Sequence, residues 1–332
     1  MTRPGVSDED LVRIWDEEGG SPARVAARIG VSVRNVHYRR VRLERQGHML
    51  DAADPQMARR FRCAYPRRAF LEIEDGVALA FGDGHCLPVE WREDGDTPAM
   101  AAALRLAEDL QPTHLLCMGD MLDGASISRH PPLGWEVKPR VEDELGAVQH
   151  DLSRLRRAAP NAKPVWIVGN HDERYDRTLA QRVPDFRDVL GTSLSDSFPD
   201  WAMSWSLEIN GALVAVHRWH AGVHAAWNNV MKSGGAHLIT GDTHRLTLRA
   251  YTGQIGQIYA VECGTLADPR GRQFEYTRGL DPNWQAGFAV LTWRGGVLMP
   301  PELCQVDNAG VAWFRGRAIA GKPRVRVKAR AA

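Results

Sequence analysis

Five short apolar runs in the middle of the chain share one kind of ending. Val77–Phe81 stops at Gly82-Asp83-Gly84-His85, and Thr113–Met118 stops at Gly119-Asp120-Met121-Leu122-Asp123. Val165–Val168 stops at Gly169-Asn170-His171-Asp172, Leu213–Val216 at His217, and Ala236–Thr240 at Gly241-Asp242-Thr243-His244-Arg245. Runs of β-formers that halt at a glycine and then at amides, imidazoles and carboxylates describe buried strands presenting polar groups at their C-terminal edge. Open α/β folds place their chemistry on that edge.

Between these runs the period changes from two to 3.6. Helices are predicted over Thr97–Leu110, from about Val141 to Ala158, over Glu173–Arg182 and over Val223–Lys232. Phe70–Ile73 and Val77–Phe81 look like a hairpin closed by Asp75-Gly76, and Trp205–Ile209 and Leu213–Val216 like a second one turned at Asn210-Gly211. Strands then dominate: Leu246–Tyr251, Ile255–Cys263, Gly287–Trp293, Val297–Val306 and Ala312–Arg315. The expected fold is α/β, a two-sheet β-sandwich core flanked by helices. A basic tail, 316–332, follows a domain spanning 69–315.

The first 46 residues read differently. Ser7 caps a helix carrying Leu11, Ile14 and Trp15, and Ser21-Pro22 opens a second with Val25, Ala26 and Ile29 on its apolar face. Gly30-Val31-Ser32 then turns into a third helix, Val33 to about Arg45. The pattern resembles an all-α helix-turn-helix domain, in which the last helix lies in a DNA major groove. Arg34, Asn35, Tyr38, Arg39 and Arg42 are its candidate DNA contacts. A small bundle used for oligomerisation is the alternative. Residues 47–68, without a clean period, are expected to be a linker.

Charge sharpens this division. Residues 1–68 hold 14 Arg against 9 acidic residues, and 315–332 hold 7 basic residues against none, so a net charge of +1 hides an acidic body between basic ends. Basic ends suit a polyanion, and an acidic body suits a site rich in metal-binding carboxylates. No apolar run is long enough for a bilayer and no signal peptide is visible at Met1–Gly5, so a cytoplasmic protein without membrane contact is expected. The five cysteines are scattered, with no Cys-x-x-Cys pair, which argues for free thiols.

Asp83, His85, Asp120, Asn170, His217, Asp242 and His244 together supply oxygen and nitrogen ligands for two divalent ions. Their order resembles the five motifs of the calcineurin-like metallophosphoesterases. Ile127–His130 and Asp172–Arg174 bring the chain nearest to the stand-alone phosphoesterases of phages and prophages, with SbcD-type nucleases more distant. The resemblance covers roughly residues 70 to 300. It implies a first metal on Asp83, His85 and His244, a second on Asn170, His217 and Asp242, and Asp120 as the bridge. Water activated between the ions would attack phosphorus, and His171, oriented by Asp123, would protonate the leaving oxygen. Arg129, His130, Arg174 and Arg245 are candidates for the non-bridging oxygens, while Asp172 receives no role.

One position departs from the family pattern, which reads Gly-His-x-His where this chain has Gly241-Asp242-Thr243-His244. A carboxylate is a harder donor than imidazole, which favours manganese, with iron, magnesium and zinc as alternatives, or weakens the second site. The implied activity is two-metal phosphoester hydrolysis, as a phosphodiesterase or nuclease acting on DNA. Two other readings fit the motifs: a small-molecule or nucleotide phosphoesterase whose N-terminal domain serves oligomerisation, and a DNA-binding regulatory or packaging protein that has lost activity.

Overall fold

A computed structural model describes residues 6–18, 21–45, 50, 65–92, 95–187, 189–254, 256–278, 280 and 282–321. The chain divides into two compact units, residues 1–63 and 64–332. Among the described residues no helix is long and apolar enough to cross a membrane.

Among its described residues the first unit has three helices, α1 (Asp8–Glu17), α2 (Pro22–Ile29) and α3 (Val33–Arg45). Each begins where a hydroxyl satisfies an otherwise unpaired N–H: Ser7 Oγ accepts from Asp10 N, Ser21 Oγ from Arg24 N and Ser32 Oγ from Asn35 N. Gly30, at φ 71°, ends α2 in the left-handed region and returns its N–H to Ala26 O. Leu11, Ile14, Trp15, Val25, Ala26, Val36, Leu43 and Leu50 form the core, with Trp15 and Leu43 fully buried. Burying each such side chain contributes roughly 1.5–3 kcal/mol.

Among the described residues the second unit contains fifteen strands in two sheets. In chain order they are β1 (Ala69–Leu71), β2 (Gly76–Phe81), β3 (His114–Cys117), β4 (Lys163–Ile167), β5 (Ala202–Ser204), β6 (Ser206–Ile209), β7 (Leu213–Val216) and β8 (His237–Thr240). Then come β9 (Leu246–Gly253), β10 (Gly256–Cys263), β11 (Gly287–Arg294), β12 (Val297–Leu298), β13 (Glu302–Val306), β14 (Ala312–Phe314) and β15 (Arg317–Ala320). One sheet runs β1-β6-β7-β8-β10-β9; the other runs β15-β14-β13-β11-β2-β3-β4-β5, with β12 on β11. β2, β3 and β4 are parallel neighbours, and so are β7 and β8. Their C-terminal ends therefore point the same way within each sheet.

Alternation along the central strands explains the layers. Ala78 and Ala80 of β2 face Leu207, Ile209, Ala215 and Ile239 of the other sheet, while Leu79 and Phe81 face outward into a second core. Helices Pro98–Leu110 and Val141–Ala158 cover that outer face with Met100, Leu106, Val148, Leu152 and Leu155. Ala226 and Val230 of helix Ala225–Lys232 cover Ile258 and Ala260 on the opposite side. Strands buried on both faces read as continuous apolar runs, which is why these stood out.

Three expectations change. Phe70–Ile73 and Val77–Phe81 do not pair with each other: β1 pairs with β6 in one sheet and β2 with β3 and β11 in the other. The Asp75-Gly76 turn carries the chain between sheets, because Phe70 and Leu71 find their partners 138 residues later and not across the turn. Tyr65–Arg68, expected in the linker, belong to the second unit: Tyr65 is buried and donates to Asp176, and Pro66 O accepts from Trp205 N. Residues 46–49 and 51–64 lie outside the described residues. Arg317–Ala320, expected in the tail, instead form the edge strand β15; residues 322–332 lie outside the described residues.

Candidate metal centre

The five polar strand ends meet. β2, β3 and β4 deliver Asp83 and His85, Asp120 and Asp123, and Asn170 and His171, while β7 and β8 deliver His217, and Asp242 and His244. The loops are stitched to each other by main-chain bonds: Asp83 N donates to Gly119 O, His85 N to Asp120 O, and Gly241 N to His217 O. The close approach depends on glycine. A Cβ on Gly169 would lie 2.6 Å from Asp120 N and closer still to its carboxylate, so no other residue fits without moving that loop.

Asp83, His85, Asp120, Asp242 and His244 all hold positive φ, between 39° and 65°. Left-handed backbone at non-glycine residues costs energy, and such strain concentrates where side chains must converge. Here it turns five side chains inward in succession.

Three groups of ligand atoms result, each within 4.8 Å of one another: Asp83, His85 and His244; Asp83, Asp120 and His217; and His85, Asp123 and His171. Asp83 is common to the first two. His244 Nε2 lies 3.3 Å from Asp83 Oδ1 and 3.2 Å from His85 Nε2. Two imidazole nitrogens bound to one tetrahedral ion at about 2.0–2.1 Å are roughly 3.3 Å apart.

Hydrogen bonds on the far side of the His85 and His217 rings set which nitrogen faces the centre, whereas His244 Nδ1 is buried without such a partner. His217 Nδ1 donates to Met118 O at 2.6 Å, so its Nε2 lone pair points at Asp120 Oδ2, 3.2 Å away, and makes no hydrogen bond. Asn170 Oδ1 is likewise buried without a partner. A buried imidazole lone pair facing a carboxylate calls for a positive charge between them. Burial works to lower the His217 imidazole, but the Asp120 carboxylate outweighs it and raises it to about 10. The donor set, carboxylate oxygens with borderline imidazoles and an amide, fits a divalent ion.

Asp123 lies behind two rings. Its Oδ1 accepts from His85 Nδ1 at 3.0 Å and from His171 Nδ1 at 2.9 Å. Burial raises its carboxyl, yet these two imidazoles prevail and hold it well below the usual range. His171 is raised in turn, burial being overcome by Asp120 and Asp123. Its Nε2 accepts from Arg174, whose other amine donates to Asp123 O at 2.7 Å.

Asp242 stands just outside the triads. Its Oδ1 is 3.9 Å from His217 Nε2, its Oδ2 is 3.5 Å from Arg218 Nε, and its N–H donates to Asp83. Burial pushes its carboxyl up, with His217 pulling the other way.

Among the charged candidates, the structure separates free groups from committed ones. Arg129 and His130 are exposed on the loop after Asp123. Arg245 is not available for substrate oxygens: its guanidinium donates to buried Glu262 from Nε at 3.2 Å and from a terminal amine at 3.0 Å, and to Gly222 O at 2.9 Å. In the first unit Arg34, Asn35 and Tyr38 are exposed, whereas Arg39 and Arg42 are drawn to Asp8 across the bundle. Arg39, only 19% exposed, also donates to Val6 O, so it braces α3 against the start of α1.

Three features were not anticipated. Asp172 is fully buried and accepts from Asp120 N, Leu122 N, Gly169 N and Trp166 Nε1, bracketing two ligand loops together. Burial and then the Asp120 charge still raise it to about 6 despite those four donors. Glu144, from helix Val141–Ala158, accepts from Ala125 N on the loop after Asp123. Phe274 and Trp284 pack against the site imidazoles. A carboxylate three residues after a strand-terminal glycine was the visible trace of Asp172; the others left none.

No family model matches the chain. It is 27% identical over 235 residues to the Gene 54 protein of Mycobacterium phage L5, covering 64% of this chain and 88% of that protein. The Gene 54 protein of Mycobacterium phage D29 is also 27% identical, over 229 residues, with 62% and 86% covered. Among solved structures the chain is similar to a metallophosphoesterase from Sphaerobacter thermophilus (14% identity, 73% of this chain and 90% of that one, TM-score 0.36). It is also similar to Yfce, a phosphoesterase from E. coli (16%, 74% and 98%, TM-score 0.33), and to Vps29 with zinc from Entamoeba histolytica (14%, 73% and 99%, TM-score 0.39). Overlaps this loose carry nothing about the chemistry of the chain.

Proposed function

We propose that the second unit hydrolyses phosphoester bonds with two divalent metal ions, manganese before zinc, and that its substrate is nucleic acid. The observation behind this reading is the pair of triads sharing Asp83, with His217 Nε2 and Asn170 Oδ1 buried and unpartnered beside them. Asp83, His85 and His244 would hold one ion; Asn170, His217 and Asp242 the other, with Asp120 between. The ions would polarise the phosphoryl oxygens and lower the pKa of the attacking water.

The remaining steps fall to the protein. His171 protonates the leaving oxygen from Nε2, while Asp123 holds its Nδ1–H and favours the charged ring. Arg174 must first release that Nε2, and a substrate phosphoryl oxygen gives its guanidinium a better acceptor. Arg129 and His130 are free to follow the same anion. In the first unit, the exposed Arg34, Asn35 and Tyr38 on α3 favour duplex DNA as the target. The tying of Arg39 and Arg42 to Asp8 favours the other reading, an oligomerising bundle on a phosphoesterase of smaller substrates.

Manganese-dependent cleavage of bis-p-nitrophenyl phosphate, with metal content measured on the same samples, tests the reaction. Activity and bound metal should both fall in Asp120→Ala; no uptake and no turnover with any divalent ion would overturn the reading. Deleting residues 1–63, which leaves Tyr65 in place, should weaken duplex binding and flatten its salt dependence. Unchanged affinity would favour the oligomerisation role.

A further inference from the structure

The segment Gly264–Ala286, between β10 and β11, belongs to none of the five strand-end motifs, yet both its ends are fastened to them. Leu266 N donates to Gly82 O and Thr265 Oγ1 to Asp83 O, and at the far end Gln285 N donates to His244 O. Between these anchors a helical turn, Arg272–Thr277, carries Phe274 and Tyr276, and Trp284 follows.

The three rings form one wall. Phe274 lies 5.2 Å from both His85 and His244 by ring centroids; Trp284 lies 4.6 Å from His244 and 5.0 Å from Phe274; Tyr276 stands edge-on to Phe274 at 6.3 Å. Phe274 is buried, and packing behind two imidazoles accounts for it. Tyr276 is 57% exposed, so burial in a core does not account for it. Burial and then the Asp123 carboxylate push its hydroxyl above the ordinary phenol range, and Arg174 and Asp120 also act on it. Tyr276 is thus the exposed outer edge of a wall whose inner ring, Phe274, packs on the His85 and His244 imidazoles. On the other side of the same turn a cavity of about 1170 Å³ is lined by His85, Trp91, Met121, Arg272 and Gln273, with the Arg272 guanidinium 4.8 Å above the Trp91 ring.

We propose that this aromatic wall, with Tyr276 outermost, is a stacking platform for the nucleobase beside the scissile phosphate, so that the strand cleaved is unpaired at that point and duplex is a target of the first unit alone. The proposal rests on the phosphodiester reading above. In a duplex both faces of a base are covered by its neighbours; only an unpaired base offers a face to a protein ring. Arginines at the centre serve the phosphate, which every substrate has, and the rings serve the base.

The test compares fluorescein-labelled tetrathymidylate with an abasic tetramer of the same backbone, at one salt concentration, by stopped-flow anisotropy before turnover. Tetrathymidylate is too short and too flexible for a helix that reads a major groove, so the first unit does not confound it. Tyr276→Ala should raise the Kd for tetrathymidylate by roughly 5- to 150-fold, the range of one lost base stack. Tyr276→Phe should restore it to within about twofold, since stacking needs the ring and not the hydroxyl. The abasic tetramer should bind all three proteins alike. Equal weakening on both tetramers, or none on tetrathymidylate, overturns the platform. Bis-p-nitrophenyl phosphate is followed in parallel. Turnover of that ester by a wild-type protein that does not prefer the base-bearing tetramer sinks the platform and leaves the reaction standing. Preference without turnover does the reverse.

Discussion

His85 and His171 meet edge to face, 4.6 Å between ring centroids, and point their Nδ1 atoms at the same oxygen of Asp123. One carboxylate therefore sets the tautomer of His85, a candidate metal ligand, and of His171, the proposed proton donor. Replacing Asp123 with Asn keeps the size but removes the charge and presents an N–H to one of the two rings. Turnover is expected to drop by about 10²–10⁴ and metal affinity by about 10- to 100-fold. Steady-state kinetics and equilibrium dialysis on one preparation would read both, and loss of only one would assign Asp123 to a single ring.

His171→Ala should separate substrates by leaving group. A p-nitrophenolate departs without a proton, whereas a sugar alkoxide needs one, so the loss is expected to be small for bis-p-nitrophenyl phosphate. For a dinucleotide it should approach ~10²–10⁴. Metal content should be unchanged. Equal losses on both substrates would remove the proton-donor role.

For Asp242 the informative pair is Asn and His. Asn tolerates the 65° φ at this position but is a neutral, weaker donor, so the variant should bind less of the second ion while keeping the first. Asp242→His should shift preference from manganese toward zinc. Metal titrations of the three proteins would show it; identical stoichiometry and identical preference would place Asp242 outside the coordination sphere.

Glu144 supplies a pH signature in stability. Burial raises its carboxyl from an ordinary 4.5 to about 8, and one of its oxygens is buried without a partner. A folded-state pKa above the unfolded one means that its contribution is complete below pH 4.5 and is lost as pH rises through 8. The loss is at most about 5 kcal/mol. Glu144→Gln cannot ionise, so its stability relative to wild type should rise between pH 5 and pH 8. Urea midpoints at the two pH values would measure the difference, and a constant offset would rule out ionisation of Glu144 as its source.

The architecture was legible because strands buried on both faces announce themselves as unbroken apolar runs, and the convergence of the candidate ligands because each follows such a run directly. What stayed hidden depends on partners far away in the chain. Arg245 looked free until Glu262 arrived from the neighbouring strand, and Arg39 and Arg42 until Asp8 arrived from another helix. The false hairpin at Asp75-Gly76 had the right turn residues, but the flanking segments pack better in separate sheets. Phe274, Tyr276 and Trp284 have no periodicity and matter only through where the loop is fastened.

The left-handed backbone at Asp83, His85, Asp120, Asp242 and His244 restricts which sequences can occupy this site. A replacement there must satisfy two independent filters, donor chemistry and a conformation that β-branched and bulky residues avoid. In a saturation library asparagine and glycine should therefore survive as folded proteins at these five positions more often than glutamate or glutamine, although the latter are the nearer donors. Tolerance of folding and tolerance of function would diverge at the same codons.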